Sequence, residues 1–187
     1  QADWQQIEAA VSPKTRLIIV NSPHNPTATV FNDGDWQALA NLAAKHDLFV
    51  ISDEVYEHIV FDQDRNSAHR YPALRDRTFV ISSFGKTFHA TGWKLGYCIA
   101  PPALSAEFRK IHQFVTFTSF TPAQYAVADM LNEHSDQVHG LGDFYRDKRD
   151  CFVNAMQTSR FTMLPSAGTY FALADYSAIS DKNDVDF

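Results

Sequence analysis

The chain has 187 residues, 45% hydrophobic and 20% charged, a balance that allows one globular domain, or one plus part of another, with a sizeable core. Its net charge of -6 excludes a general nucleic-acid binder, because phosphate backbones demand a basic surface, and no apolar run approaches the roughly 20 residues needed to cross a bilayer. Two cysteines, Cys98 and Cys151, are too few for a disulfide framework at this length, so a reducing cytoplasm is the expected compartment.

The opening residues 1–16 read as a helix that starts in mid-pattern, and residues 181–187 carry no terminating pattern. Both ends are therefore expected to be cuts in a longer protein. Arg16-Leu-Ile-Ile-Val-Asn21 is continuously apolar and rich in β-branched residues, which suits a strand buried on both faces. A helix is predicted from Asn32 to His46, with Asn32 as its cap, Asp35 in its first turn, and Trp36, Leu39, Ala40 and Ala43 on one face. Leu48–Ser52, Thr78–Ser82 and Gly96–Ala100 are further buried strands, the last closed by Pro101-Pro102. Strands alternating with helices predict an α/β fold: a largely parallel sheet with flanking helices.

Beyond Pro102 the pattern turns helical. Leu104, Phe108 and Ile111 mark one helix. Thr121-Pro122, read as a cap followed by Pro at the first helical position, opens another that runs to about Leu131. A long helix is predicted from Asp136 to Thr158, with Gly140 and Gly142 weakening its start. Gly168–Leu173 reads as a strand. A boundary is expected in or just after the long helix. Residues 1–150 then form the central part of a large domain with the start of a linking helix, and residues 151–187 the end of that helix and the beginning of a smaller α/β domain.

Three polar motifs follow strands, at the edge where open α/β sheets bind ligands. In Asn21-Ser-Pro-His-Asn-Pro-Thr-Ala28, the Asn and Pro residues by themselves suit an ordinary turn. In Ser52-Asp-Glu-Val-Tyr-Glu57, Asp53 taken alone suits a helix cap and Tyr56 the core. In the Ser82–Gly96 segment, Lys86 taken alone is a solvated surface lysine. Ser83, Thr87 and Lys94 flank it at short spacing, a set able to hold a phosphate, although the GxxxxGK[ST] pattern of a P-loop is absent.

Taken in order, the Asn-Pro-Thr loop, the strand-terminal Asp with Tyr three residues on, and the Ser-x-x-Lys turn followed by Thr-Gly-Trp-Lys-Leu-Gly resemble the class I/II aminotransferases, fold type I enzymes. The resemblance covers nearly the whole chain. His24-Asn-Pro and Phe84-Gly-Lys-Thr-Phe bring it closest to the methionine and kynurenine aminotransferase group. It implies pyridoxal 5'-phosphate as cofactor, an amino acid and a 2-oxo acid as substrates, a large uncharged donor side chain, and a homodimer.

By the same resemblance, Lys86 forms the Schiff base and then shuttles a proton at the substrate α-carbon. An ammonium can do neither, so desolvation and the cationic cofactor must lower its pKa. Asp53 pairs with the pyridine nitrogen and keeps it protonated, which makes the ring an electron sink. Asn25 and Tyr56 hydrogen-bond the phenolic oxygen, and Ser83 and Lys94 bind the phosphate. Two positions depart from the family pattern. Lys94 stands where many relatives carry Arg, losing the bidentate fork, and Ala28 replaces a common Gly.

The resemblance also implies an upstream phosphate cradle, a ring-stacking aromatic and a downstream carboxylate-binding arginine, all outside this chain. The chain alone is therefore expected to be inactive, with an apolar sheet face or edge uncovered. A carbon–sulfur β-lyase on the same scaffold shares the cofactor residues. A regulator that uses such a domain as a ligand sensor is the alternative from another class.

Overall fold

The computed structural model describes residues 2–187. A short helix α1 (Trp4–Ala9), capped by the Asp3 carboxylate, precedes the first strand. β1 (Leu17–Asn21), β2 (Phe49–Asp53), β3 (Thr78–Ser83) and β4 (Gly96–Ile99) form one sheet in chain order. β1, β2 and β3 are parallel, with Asn21 opposite Asp53 and Asp53 opposite Ile81. β4 is antiparallel to β3, with Ser83 opposite Gly96. The direction of β4 has a consequence for the site. The segment linking β3 to β4 starts and ends at one edge of the sheet, the edge where the parallel strands finish.

The crossover from β1 to β2 is α2 (Asp33–Lys45), opened by a capping box. Asn32 Oδ1 accepts from the Asp35 amide at 3.0 Å, and Asp35 Oδ2 accepts from the Asn32 amide at 3.1 Å. The apolar face predicted for this helix is the one it buries. Trp36, Leu39, Ala40 and Ala43 pack on Val20, Val50, Val80 and Leu74, and Trp36 is sandwiched between Phe31 and Tyr71.

The strands are not buried on both faces, as their apolar runs predict. Side chains alternate along a strand, and every second one points away from α2. On that side Phe108 of α5 (Pro102–Val115) comes within 6.3 Å of the Phe79 ring. Leu17, Ile19 and Phe49 stay exposed there, Ile19 at 66%. The expected uncovered apolar face is therefore present.

The β2–β3 connection contains a 3-10 turn at Ala68–Arg70 and the short helix α3 (Pro72–Arg75). The helical turn α4 (Phe84–Thr87) and a 3-10 turn at Thr91–Trp93 lie between β3 and β4. α6 (Thr121–Glu133) starts one residue earlier than the sequence suggests. Phe120 occupies the cap, so Thr121 is already helical and its hydroxyl caps nothing.

α7 (Ser135–Met156) is the predicted long helix, and Val138, Leu141 and Gly142 are its buried residues. Gly142 has a packing role there. A Cβ at this position would lie 2.8 Å from the Val60 carbonyl oxygen, so glycine lets the helix seat against the 58–60 segment. Among the described residues no helix is long and apolar enough to cross a membrane.

Gly168–Leu173 is not a strand. Gly168 forms a single antiparallel bridge to Val60. Thr169 then takes a left-handed backbone (φ 64°), and its hydroxyl accepts from the Phe171 amide at 3.1 Å. Such a local side-chain bond competes with ladder pairing. The pairing resumes in a separate two-stranded sheet, β5 (Thr162–Met163) with β6 (Ala174–Asp175).

Candidate active site

The polar motifs gather where β1, β2 and β3 end. Asn21 closes β1 and ties the motifs together. Its amide nitrogen donates to the Asp53 carbonyl at 2.9 Å and to the Pro23 carbonyl at 3.2 Å, and its Oδ1 accepts from the Asn25 amide at 2.8 Å. Both prolines of this loop, Pro23 and Pro26, follow cis peptide bonds. Ala28 has φ 57°, the left-handed region that favours glycine. The Ala28 carbonyl accepts from the amides of Ala167 and Gly168, so the first motif also touches the segment before Tyr170.

Asp53 ends β2 and caps no helix. The chain turns after it, and its carboxylate accepts from the Val55 amide at 3.3 Å. Glu54 turns into the core instead and is 1% exposed. Its carboxylate accepts from the Ser52 hydroxyl at 2.8 Å and the Ala68 amide at 3.0 Å. Burial raises its pKa against the pull of these bonds.

Tyr56 is buried, with its hydroxyl 3.4 Å from the Tyr170 hydroxyl. Burial first, then Tyr170 and the negative field of Asp53, push that hydroxyl's pKa up, while a hydrogen bond from the Asn25 side chain pulls the other way. Lys86, in α4, brings its Nζ to 5.8 Å from the Tyr56 ring centre and 6.0 Å from that of Tyr170, at the outer range of a cation–π contact. The amine faces these rings. The apolar cavity of about 360 Å³ behind the turn is lined by Phe84, Phe88, Trp93, Leu95, Val127 and Met130 among others, without Lys86.

Ser83 caps the lysine turn. Its Oγ accepts from the Gly85 amide at 3.2 Å and donates to the Leu95 carbonyl at 3.4 Å. Lys94 is exposed, with a left-handed backbone (φ 57°). Gly96 follows, where a Cβ would stand 2.4 Å from the Ser82 carbonyl oxygen. Only glycine allows β4 to lie this close to β3.

The sequence-predicted residues thus fall into two groups. Asn25, Asp53 and Lys86 lie near Tyr56. Ser83 and Lys94 stand on the neighbouring β3–β4 connection, linked through the Leu95 backbone. Among the described residues Lys94 makes no ion pair with the others.

Three contributors escape sequence reasoning. Tyr170 is hidden because its segment reads as a strand. Tyr145 lies mid-helix, its ring 5.7 Å from that of Tyr170. His89 meets the Tyr145 hydroxyl at 2.9 Å. The density of aromatics in Thr-Tyr-Phe, straight after a glycine, is the one signal that marks Tyr170.

An amine, a carboxylate, a phenol and a carboxamide near the ends of β1, β2 and β3, with a hydroxyl and an ammonium on the β3–β4 connection, are a donor set whose chemistry fits a pyridoxal phosphate.

Comparison with known proteins agrees with this chemistry. The chain is 54% identical to the methionine aminotransferase of Escherichia coli (strain K12), over 100% of its own length and 49% of that protein's. It is 39% identical to a kynurenine–oxoglutarate transaminase of Dictyostelium discoideum, over 96% of the chain and 42% of the relative. The chain spans about half the length of the curated relatives it matches. Its fold superposes on the crystal structure of YbdL from Escherichia coli, for which a methionine aminotransferase function was identified. The TM-score is 0.97 at 54% identity, covering 100% of this chain and 49% of that one. Aspartate aminotransferase of Thermus thermophilus with maleate gives a TM-score of 0.87 at 28% identity, covering 96% and 47%. The family model for aminotransferase class I and II matches residues 1–185, and with the lysine turn, the strand-terminal aspartate and the Asn-Pro-Thr loop all within that match, the chain belongs to the class I and II aminotransferase family.

Proposed function

We propose that this chain forms the catalytic core of a pyridoxal 5'-phosphate-dependent aminotransferase that moves an amino group from an amino acid to a 2-oxo acid. One observation carries the proposal: the Lys86 amine, the Tyr56 hydroxyl and the Asn25 and Asp53 side chains share one corner of the sheet edge. When bound, the cofactor supplies an aldehyde that condenses with amines and a ring that accepts the electrons released at the substrate α-carbon.

The residues then divide the work. Lys86 would hold the cofactor through its amine and, as the one base beside the substrate α-carbon, would carry the proton that leaves and re-enters there. Asp53 holds a proton on the ring nitrogen. Tyr56 and Asn25 donate to the phenolic oxygen, and the raised pKa of Tyr56 keeps that donor protonated. Ser83 and Lys94 hold the phosphate, with Lys94 acting as a point charge without a fork. In the full-length protein, Lys86→Ala is expected to lower turnover by roughly two to four orders of magnitude, the usual worth of a positioned acid–base group. Near-normal turnover in that variant would exclude the assignment.

The similarity to methionine and kynurenine aminotransferases supports a large uncharged donor side chain. Steady-state rates with methionine, phenylalanine, kynurenine and aspartate test this choice, and aspartate as the best donor by a wide margin would overturn it. Formation of ammonia and pyruvate in place of a new amino acid would favour the β-lyase alternative.

We also propose a homodimer in a reducing cytoplasm. Exposed Phe114, Phe117, Phe120 and Tyr125 around the α5–α6 connection supply apolar surface for a second copy to cover, and both cysteines are free thiols. The domain boundary is proposed within α7, near residue 150. The helix's buried residues all lie in its first half, and the separate β5–β6 sheet begins beyond it.

A further inference from the structure

Glu57 lies next to Tyr56 but plays no part in the chemistry above. Its Oε1 is the meeting point of three donors. The Ser82 hydroxyl donates at 2.6 Å and the Tyr97 hydroxyl at 2.5 Å, and His58 Nε2 lies at 3.3 Å. Burial alone would raise this carboxyl's pKa, but the bonds from His58, Ser82 and Tyr97 outweigh it and hold the group low and charged.

Ser82 and Tyr97 face each other across the antiparallel β3–β4 pair, so one carboxylate oxygen clamps both strands from the same side. Ser82 immediately precedes Ser83, and Tyr97 lies three residues after Lys94. The two residues given the phosphate are therefore carried by the ends that Glu57 holds. The clamp reaches them from the β2 side of the sheet, across a sequence gap of 25 residues to Ser82 and 40 to Tyr97. Charge-assisted bonds of this length are stronger than neutral ones, and removing their acceptor strands two hydroxyls in a largely buried place.

We propose that Glu57 is a positioning residue for phosphate binding: by holding Ser82 and Tyr97 it sets the separation of Ser83 and Lys94. This inference rests on the cofactor assignment made above. A clamp of this kind acts on the phosphate and not on the ring, which separates it from a general structural role.

The test is equilibrium titration of the full-length apoprotein with pyridoxal 5'-phosphate and, separately, with pyridoxal. Glu57→Leu is expected to weaken pyridoxal phosphate by about tenfold, the effect of unpairing a buried donor, and to leave pyridoxal within about twofold. Tyr97→Phe should weaken pyridoxal phosphate in the parent but add nothing in the Glu57→Leu background, because coupled residues are not additive. Glu57→Gln keeps the shape and covers the case in which the leucine variant does not fold. It should give a smaller, phosphate-selective loss of about threefold. Equal weakening of both ligands, or a lowered Tm with unchanged affinity for both, would overturn the proposal. A parent protein that fails to bind pyridoxal 5'-phosphate would instead overturn the cofactor assignment.

Discussion

Tyr56, Tyr71 and Tyr97 all have their hydroxyl pKa pushed up, Tyr71 to about 12, with burial the largest cause in each. A neighbouring oxygen comes second: Tyr170 for Tyr56, Asp33 for Tyr71 and Glu57 for Tyr97. The ordinary value is 10.0. Between that value and the raised one, the folded chain keeps protons that the unfolded chain loses. This contribution to stability is therefore complete below pH 10 and declines as the pH rises through the folded pKa values. Tyr71→Phe removes one of these groups and should make the alkaline decline shallower, as read from circular dichroism against pH. An unchanged slope would show that the Tyr71–Asp33 contact, 2.6 Å long, does not survive in solution. Lys86, Asp53 and Tyr56 can be singled out from the sequence because each sits in a local motif. The tie made by Asn21 to residue 53 and the grip of Ser82 and Tyr97 on Glu57 are not, since their partners are 25 to 40 residues distant in the chain.

At the level of elements, the four strands of the main sheet and α2 with its cap and buried face agree with apolar periodicity and turn chemistry, whereas the strand order is a finding of the structure. The antiparallel direction of β4 is not legible there, because a short apolar run has no polarity that a reader can see. Gly168–Leu173 reads as a strand for the same reason, and the left-handed backbone of Thr169 decides otherwise. The two glycines of α7 separate propensity from packing. Gly140 has open space around its would-be Cβ, so Gly140→Ala should stabilise by about 1 kcal/mol, the helix-propensity difference. At Gly142 the same change meets the Val60 carbonyl oxygen at 2.8 Å, and overpacking against backbone should destabilise by about 1–3 kcal/mol. Denaturant unfolding of the two variants gives opposite signs on this account. Stabilisation by both would mean that α7 does not seat on the 58–60 segment.

For the whole molecule, α2 packs on one sheet face, while the other leaves Leu17, Ile19 and Phe49 exposed. Apolar surface on this scale in an isolated chain invites association. Residues 1–187 produced alone should bind a hydrophobic dye strongly and sediment as more than a monomer. They should also show no transaminase turnover, since the chain spans only about half the length of its curated relatives. Robust turnover by this chain alone would show that the substrate is held by residues within it.

The order of the main sheet also bears on how the chain reaches its fold during synthesis. Each strand pairs with the one made before it, so a growing polypeptide never has to wait for a distant partner, and early sheet can act as template for the strands made later. Lys86 emerges before β4, the strand that closes the connection carrying it. The reactive amine therefore remains on an unanchored segment until Gly96–Ile99 has docked. On the assignment proposed above, the site for the cofactor would be complete only once the fourth strand has arrived.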